Sequence, residues 1–242
     1  MASLLPNKLI EINDKYDVLV DGINSSGTEN RNKILRSYSE KAVAVTYNDL
    51  KEYKRADYKE KFVGKEVIYI YHNTIDAIGD HAITENQVFD AAERAIEEIM
   101  SIANSFIGNL SVSNIIITAD HGFLYKRDKL TLSDKIDGVK LDDGEDGRRF
   151  VLTDSNEEAD GRNIISMKYI LGENSDKNVI TPKGTMRFKV QGAGSNYVHG
   201  GSMLQEIVVP VIKFKLDRSK STSNLVKKTD VKLTSISRKI TN

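Results

Sequence analysis

The chain contains no cysteine in its 242 residues, which excludes a disulfide framework and a thiolate metal cage. Any metal must therefore be held by histidine and carboxylate, and only four histidines are present to choose from. Net charge is also absent. The 35 Lys and Arg balance 35 Asp and Glu, so there is no overall basic field of the kind that drives non-specific nucleic-acid binding. No apolar run approaches the roughly 20 residues of a membrane span. The opening MASLLPNK lacks the basic start and long apolar centre of a signal peptide. These absences point to a cytosolic chain without membrane attachment, long enough for one large α/β domain or two modest ones.

What is present begins with NIIITADHGFLY, residues 114–125. Its β-branched apolar run reads as a strand covered on both faces, which places Asp120 and His121 at the C-terminal end of that strand. Open parallel sheets gather ligands there, because the loops diverge and leave a crevice. VIYIYHNTIDAIGDHA, residues 67–82, reads as a second strand breaking into a polar loop at the same level. Between the two, residues 84–106 read as a helix, with a Thr84–Gln87 capping box and an apolar stripe of Val88, Ala91, Ala92, Ala95, Ile96, Ile99, Ala103 and Phe106. Strand, helix and strand in that order predict a βαβ crossover with parallel neighbours.

Elsewhere, DVLVDG (17–22) reads as a strand ending in a turn, followed by a polar loop through SSGTENRNK. Residues 126–160, with KLDDGEDGRR at their centre, read as an inserted surface excursion outside the central sheet, because glycines and like charges oppose burial. Residues 163–172 and 183–191 read as strands or a short helix, and 191–201 as a glycine-rich stretch. LQEIVVPVIKFKL (204–216) reads as a strand near a sheet edge, because of Pro210. Residues 217–242 read as a linker and the start of a further β module. Both ends look cut, since no complete strand opens the chain and the last alternating stretch has nothing after it to pair with.

The polar residues collected at the loop edge are Asp76, Asp80, His81, Asp120, His121 and His199. Each alone has a plainer alternative. Asp80 can cap the following helix, His81 can face solvent, and His72 suits a packed or hydrogen-bonded role. As a set from three separated segments, carboxylates and imidazoles suit Zn²⁺ or Mn²⁺. Arg31, in the polar loop, is a candidate phosphate holder whose plain alternative is a solvated side chain.

HNTIDAIGDHA, IIITADHGFLYKRDKL and YVHGGSMLQEIVVPVI, in that order, resemble the PglZ family, a branch of the alkaline phosphatase superfamily associated with BREX-type phage defence. The resemblance covers residues 1–216. It implies an α/β, alkaline-phosphatase-like core, a mostly parallel sheet with helices on both faces, truncated at both ends. It further implies that Asp76, Asp80 and the distant His199 hold one cation and that Asp120 with His121 hold another. Asp80 stands where the superfamily more often has histidine, which shifts preference from zinc toward manganese, and His81 is the reserve ligand. The activity implied is metal-dependent phosphohydrolysis or phosphodiester cleavage of a phosphate-ester substrate, with other phage-defence proteins as partners. The superfamily's nucleophilic Ser or Thr is expected upstream of Met1, with Ser3 the only hydroxyl nearby. The chain alone is therefore expected to be catalytically incomplete. The alternative is a non-catalytic scaffold or a phosphate- or metal-binding module within a multi-protein defence complex.

Overall fold

The computed structural model describes residues 1–138, 145–155, 160–189 and 196–216. Strands β1 (Ile10–Ile12), β2 (Val18–Val20) and β3 (Ile23–Asn24) form an antiparallel meander. The β2–β3 connection is the Asp21–Gly22 pair, both with positive φ (49° and 80°), the backbone that a two-residue hairpin turn demands. The polar stretch expected as a loop instead enters helix α1 (Thr28–Tyr38). Its first turns carry no apolar period, and the helix is anchored at its far end, where Ile34 and Leu35 are buried.

Strand β4 (Ala42–Thr46), helices α2 (Tyr47–Glu52) and α3 (Arg55–Phe62), and strand β5 (Val67–Tyr71) follow. β4 and β5 pair in parallel from Ala42↔Val67 to Thr46↔Tyr71. The two-residue period of a strand divides their side chains between faces. Ala42, Ala44, Tyr69 and Tyr71 pack with Ile34 and Leu35 of α1. Val43, Val45, Ile68 and Ile70 pack with Leu50 of α2 and Phe62 of α3. Each fully buried Val, Leu, Ile or Phe contributes about 1.5–3 kcal/mol.

Helices α4 (Thr74–Gly79) and α5 (Val88–Leu110) come next, so the polar loop expected after β5 contains a short helix. The helix expected from Thr84 begins later. A 3₁₀ turn, Glu85–Gln87, precedes it, and no capping box forms, because the Thr84 hydroxyl donates to the Ile78 carbonyl at the end of α4 (2.7 Å). Val88, Ala91, Ala95, Ala103 and Phe106 are buried as the stripe predicts, and Phe106 packs on the β4–β5 sheet; Ile96 is exposed.

Strands β6 (Asn114–Thr118) and β7 (Leu124–Tyr125) flank the Asp-His loop. Then come β8 (Lys135–Ile136), β9 (Glu145–Asp146), β10 (Val151–Thr153) and β11 (Arg162–Ser166). Helix α6 (Lys168–Leu171), β12 (Asn178–Pro182) and β13 (Arg187–Phe188) continue the chain. Strand β14 (Tyr197–Val198), helix α7 (Leu204–Ile207) and β15 (Val211–Lys215) complete the described chain. The stretch expected as one strand over 204–216 is thus a helical turn, then Pro210, then a strand. No helix among the described residues is long and apolar enough to cross a membrane.

The protein is mixed α/β, but the sheet differs from expectation. Among the described residues only β4–β5 and β8–β13 are parallel ladders, and the others are antiparallel. β5 and β6 are not paired neighbours: β6 pairs antiparallel with β15. α5 does join β5 to β6, but the two strands lie in different ladders, so the expected crossover between parallel neighbours is not formed: element order alone does not fix which strand lies beside which. β6 is not covered on both faces either, since Ile116 is 64% exposed. Of the 126–160 excursion, β9 and β10 lie in the separate sheet β11-β12-β10-β9, and β8 pairs with β13. The excursion is not merely surface, however: Val151, Leu152 and Thr153 are buried there, with Val151 packed on Ile180 and Phe188. The centre of the acidic stretch, the segment 191–195 and the expected linker and β module at 217–242 lie outside the described residues.

Candidate metal centre

Asp76 sits in the first turn of α4, two residues into the helix that follows β5, and Asp80 is its C-cap. The Asp80 amide donates to the Asp76 carbonyl (2.9 Å), so the two carboxylates lie one turn apart on the same helix face. Asp120 and His121 follow the end of β6. His199 arrives through β14, whose register with β7, Val198↔Leu124 and Tyr197↔Tyr125, carries residue 199 directly toward the loop containing His121. Three separate segments, α4, the loop after β6 and the residue after β14, thus bring the five candidates together.

The geometry there is close. One ligand atom each from Asp76, His121 and His199 lies within 4.8 Å of the others. His121 Nε2 stands 3.8 Å from Asp76 Oδ2 and 3.9 Å from Asp120 Oδ1. His199 Nε2 is 3.5 Å from Asp80 Oδ1. The two imidazoles stack, with centroids 4.1 Å apart and planes 6° from parallel. The Met1 amino group lies 3.8 Å from Asp120 Oδ2. Three carboxylates around two imidazoles concentrate negative charge in a partly buried space, and such a set suits a divalent cation of borderline hardness. His121 adds a second sign of fit: its Nδ1 lies 3.1 Å from the Gly122 carbonyl. With the proton on Nδ1, donating to that carbonyl, Nε2 turns its lone pair into the cleft, the usual arrangement of a metal-binding histidine.

The remaining sequence candidates lie elsewhere. His81 is exposed and outside the group, whereas Asp80 faces His199. His72 is a hydrogen-bonded histidine: its Nε2 is 2.7 Å from Glu98, which also accepts from Thr74 Oγ1 (2.8 Å). Arg31 is not simply solvated. Its Nε donates to the Ser25 carbonyl (3.0 Å), and its guanidinium lies 4.4 Å from the centre of the Tyr71 ring.

Sequence reasoning missed Tyr197. Its hydroxyl donates to Asp76 Oδ1, and its ring packs near Phe123 (4.9 Å) and His199 (5.9 Å). Burial, then the hydrogen bond to Asp76, then the charges of Asp76, Asp80 and Asp120 push the Tyr197 phenol well above its ordinary range, so it stays a donor. The strand itself is held by Glu85, whose Oε2 accepts from the Asn196 (3.0 Å) and Tyr197 (3.3 Å) amides. Alternation along a strand carries the signal that could have found it: residues 197 and 199 share a face.

Aspartates and histidines gathered at the loop edge of an α/β layer, with two carboxylates carried on a short helix, fit an alkaline phosphatase-like domain. Residues 1–214 match the BREX system PglZ alkaline phosphatase-like domain, and the chain belongs to that family. It is 51% identical over 242 residues to an alkaline phosphatase-like protein PglZ of Bacillus cereus (strain H3081.97), covering 100% of this chain and 28% of that protein. It is 35% identical over 219 residues to an alkaline phosphatase-like protein BrxZ of Escherichia coli O9:H4 (strain HS), covering 89% of this chain and 25% of that protein. The chain therefore spans about a quarter of the length of these curated relatives.

Proposed function

We propose that this chain forms the metal-binding part of a phosphohydrolase or phosphodiesterase that works in a BREX-type phage-defence system, in the cytoplasm and alongside other defence proteins. The observation that carries the reading is the convergence of Asp76, His121 and His199 within 4.8 Å, with Asp80 and Asp120 beside them. Asp76, Asp80 and His199 hold one divalent cation, and Asp120 with His121 hold a second, zinc or manganese. Such cations supply charge neutralisation for a phosphoryl group and activation of the attacking oxygen. The chain's own residues do the positioning. Tyr197 fixes one oxygen of Asp76 and leaves the other facing His121. The Gly122 carbonyl fixes the His121 tautomer. The five side chains are ligands and carry no attacking hydroxyl, so the attacking oxygen comes from another residue of the whole protein or from water.

Uptake of Mn²⁺ and Zn²⁺ by the purified chain, measured by calorimetry and elemental analysis, tests the reading. Asp120→Ala and His199→Ala should each lower the stoichiometry or weaken binding by about tenfold or more, while His81→Ala should change nothing. Equal binding by wild type and Asp120→Ala would overturn it. Hydrolysis of mono- and diaryl phosphates, run side by side on this chain and on the whole protein, then separates the two functional classes. Turnover by the whole protein that Asp120→Ala abolishes supports the hydrolase; cation binding without turnover in either supports the scaffold reading.

A further inference from the structure

We propose that Arg149 and Glu206 are a positioning pair that sets the placement of His121 relative to His199; this rests on the reading of those two imidazoles as ligands. Both side chains are fully buried, at 0% exposure. Arg149 comes from the segment just ahead of β10, and Glu206 from α7.

Glu206 uses its acceptors in several directions at once. Oε1 accepts from Arg149 Nε (2.8 Å) and from the Gly201 amide (2.9 Å). Oε2 accepts from Arg149 Nη2 (2.6 Å) and from the Met203 amide (3.1 Å). Its main-chain carbonyl accepts from the Gly122 amide (2.8 Å). One residue therefore grips the turn two positions after His199 and the position directly after His121. Arg149 is itself fixed by the carbonyls of Met186 and Gly184 (the latter 2.9 Å), so the guanidinium is a rigid fork between the antiparallel layer and the cleft.

Gly122, directly after His121, and Gly201, two residues after His199, are both packed too closely against α7 to carry a side chain. A Cβ on Gly201 would lie 2.6 Å from Glu206 Oε2 and 2.7 Å from Arg149 Nη2, and one on Gly122 would run into the Gln205 carbonyl oxygen. A buried ion pair is a poor source of stability compared with an apolar pair of the same volume. What an apolar pair cannot do is accept from the Gly201 and Met203 amides. The directional hold on the turn after His199 is the property that only the charged pair supplies, and by fixing α7 the pair also fixes the Glu206 main-chain carbonyl that holds the loop after His121; groups that orient a metal's ligands typically govern its affinity by about 10–100-fold.

The test uses this chain with Mn²⁺ as the probe, comparing wild type, Arg149→Lys, Arg149→Met and the double variant Arg149→Met/Glu206→Leu. Thermal unfolding reports stability, hydrogen exchange reports the loops at 118–124 and 197–203 without any metal, and calorimetry reports Mn²⁺ affinity. In Arg149→Met, exchange in both loops should quicken and Mn²⁺ binding should weaken by about tenfold. The double variant should recover melting temperature by removing the unpaired buried carboxylate, yet keep fast exchange and weak binding; a purely structural pair would recover all three together. Arg149→Lys, keeping the charge without the fork, should fall between. A double variant that melts, exchanges and binds as wild type does would overturn the proposal. So would a folded Arg149→Met with both loops unchanged. If only Arg149→Lys folds, wild-type exchange and affinity in that variant would overturn it too. If wild type takes up no Mn²⁺, the ligand reading fails by itself, and the exchange data alone decide whether the pair places the two loops.

Discussion

The two ladders that flank the cleft are built in opposite ways. β4–β5 has an apolar layer on each face, with α1 on one side and α2, α3 and Phe106 of α5 on the other. β6–β15 leaves Ile116, Val211, Ile212 and Phe214 exposed. Yet each ladder supplies candidate ligands: Asp76 and Asp80 follow β5, and Asp120 and His121 follow β6. The difference shows two ways of holding a polar side chain in place. On the β5 half, apolar burial fixes the strands and a short helix inherits their position. On the β6 half, where burial is poor, the loop is tied by hydrogen bonds to Glu206 and through it to Arg149.

The contrast should break most sharply at Phe106, buried against Phe62 (5.1 Å between ring centroids) and Tyr58 (5.8 Å). Phe106→Ala should cost about 3–5 kcal/mol in urea unfolding, since the cavity opens under the covered ladder. A smaller effect is expected at Glu98, which joins α5 to His72 and Thr74 at the end of β5. Burial disfavours the Glu98 carboxylate, but the hydrogen bonds from Thr74 and His72 outweigh it, and the group lies below its ordinary 4.5. Because the native pKa is depressed, this stabilisation is present above 4.5 and is lost as pH falls below that value. Glu98→Gln should therefore flatten the decline of the urea midpoint on acidification; an unchanged decline would remove Glu98 from the account. The smallest effect is expected at Ile116. Ile116→Thr should change stability by no more than about 0.5 kcal/mol, as for other exposed positions. A loss approaching that of Phe106→Ala would mean that the β6 face is covered in solution, and the contrast between the ladders would disappear.

Much of the cleft was legible in the sequence. Asp120 and His121 could be placed at a strand end because NIIIT carries an unbroken β-branched run, and Asp76 with Asp80 at the same level because VIYIY combines β-branched and aromatic residues that favour a strand. His199 could be collected into the same set from its place just ahead of the last apolar stretch, but its stacking on His121 was not legible, since β14 has only two residues and no pattern of its own. Local structure was less legible where tertiary contacts decided it. Helix α1 hides behind a polar opening, and the Thr84 hydroxyl serves the end of α4 instead of capping α5.

By itself the sequence determined which side chains stand at strand ends, because a two-residue period and an apolar run are local properties of the chain. It also determined, through the absence of cysteine, that any metal here is held by oxygen and imidazole nitrogen. Only the tertiary structure decided that β6 pairs with β15 and not with β5, that Tyr197 donates to Asp76, and that an arginine from an acidic, glycine-rich excursion is buried beside Glu206. Those facts join residues 57 and 121 positions apart, and in the β6–β15 ladder strands nearly a hundred apart. Such pairings are settled by which buried polar groups find partners once the chain has collapsed, and no local period encodes that.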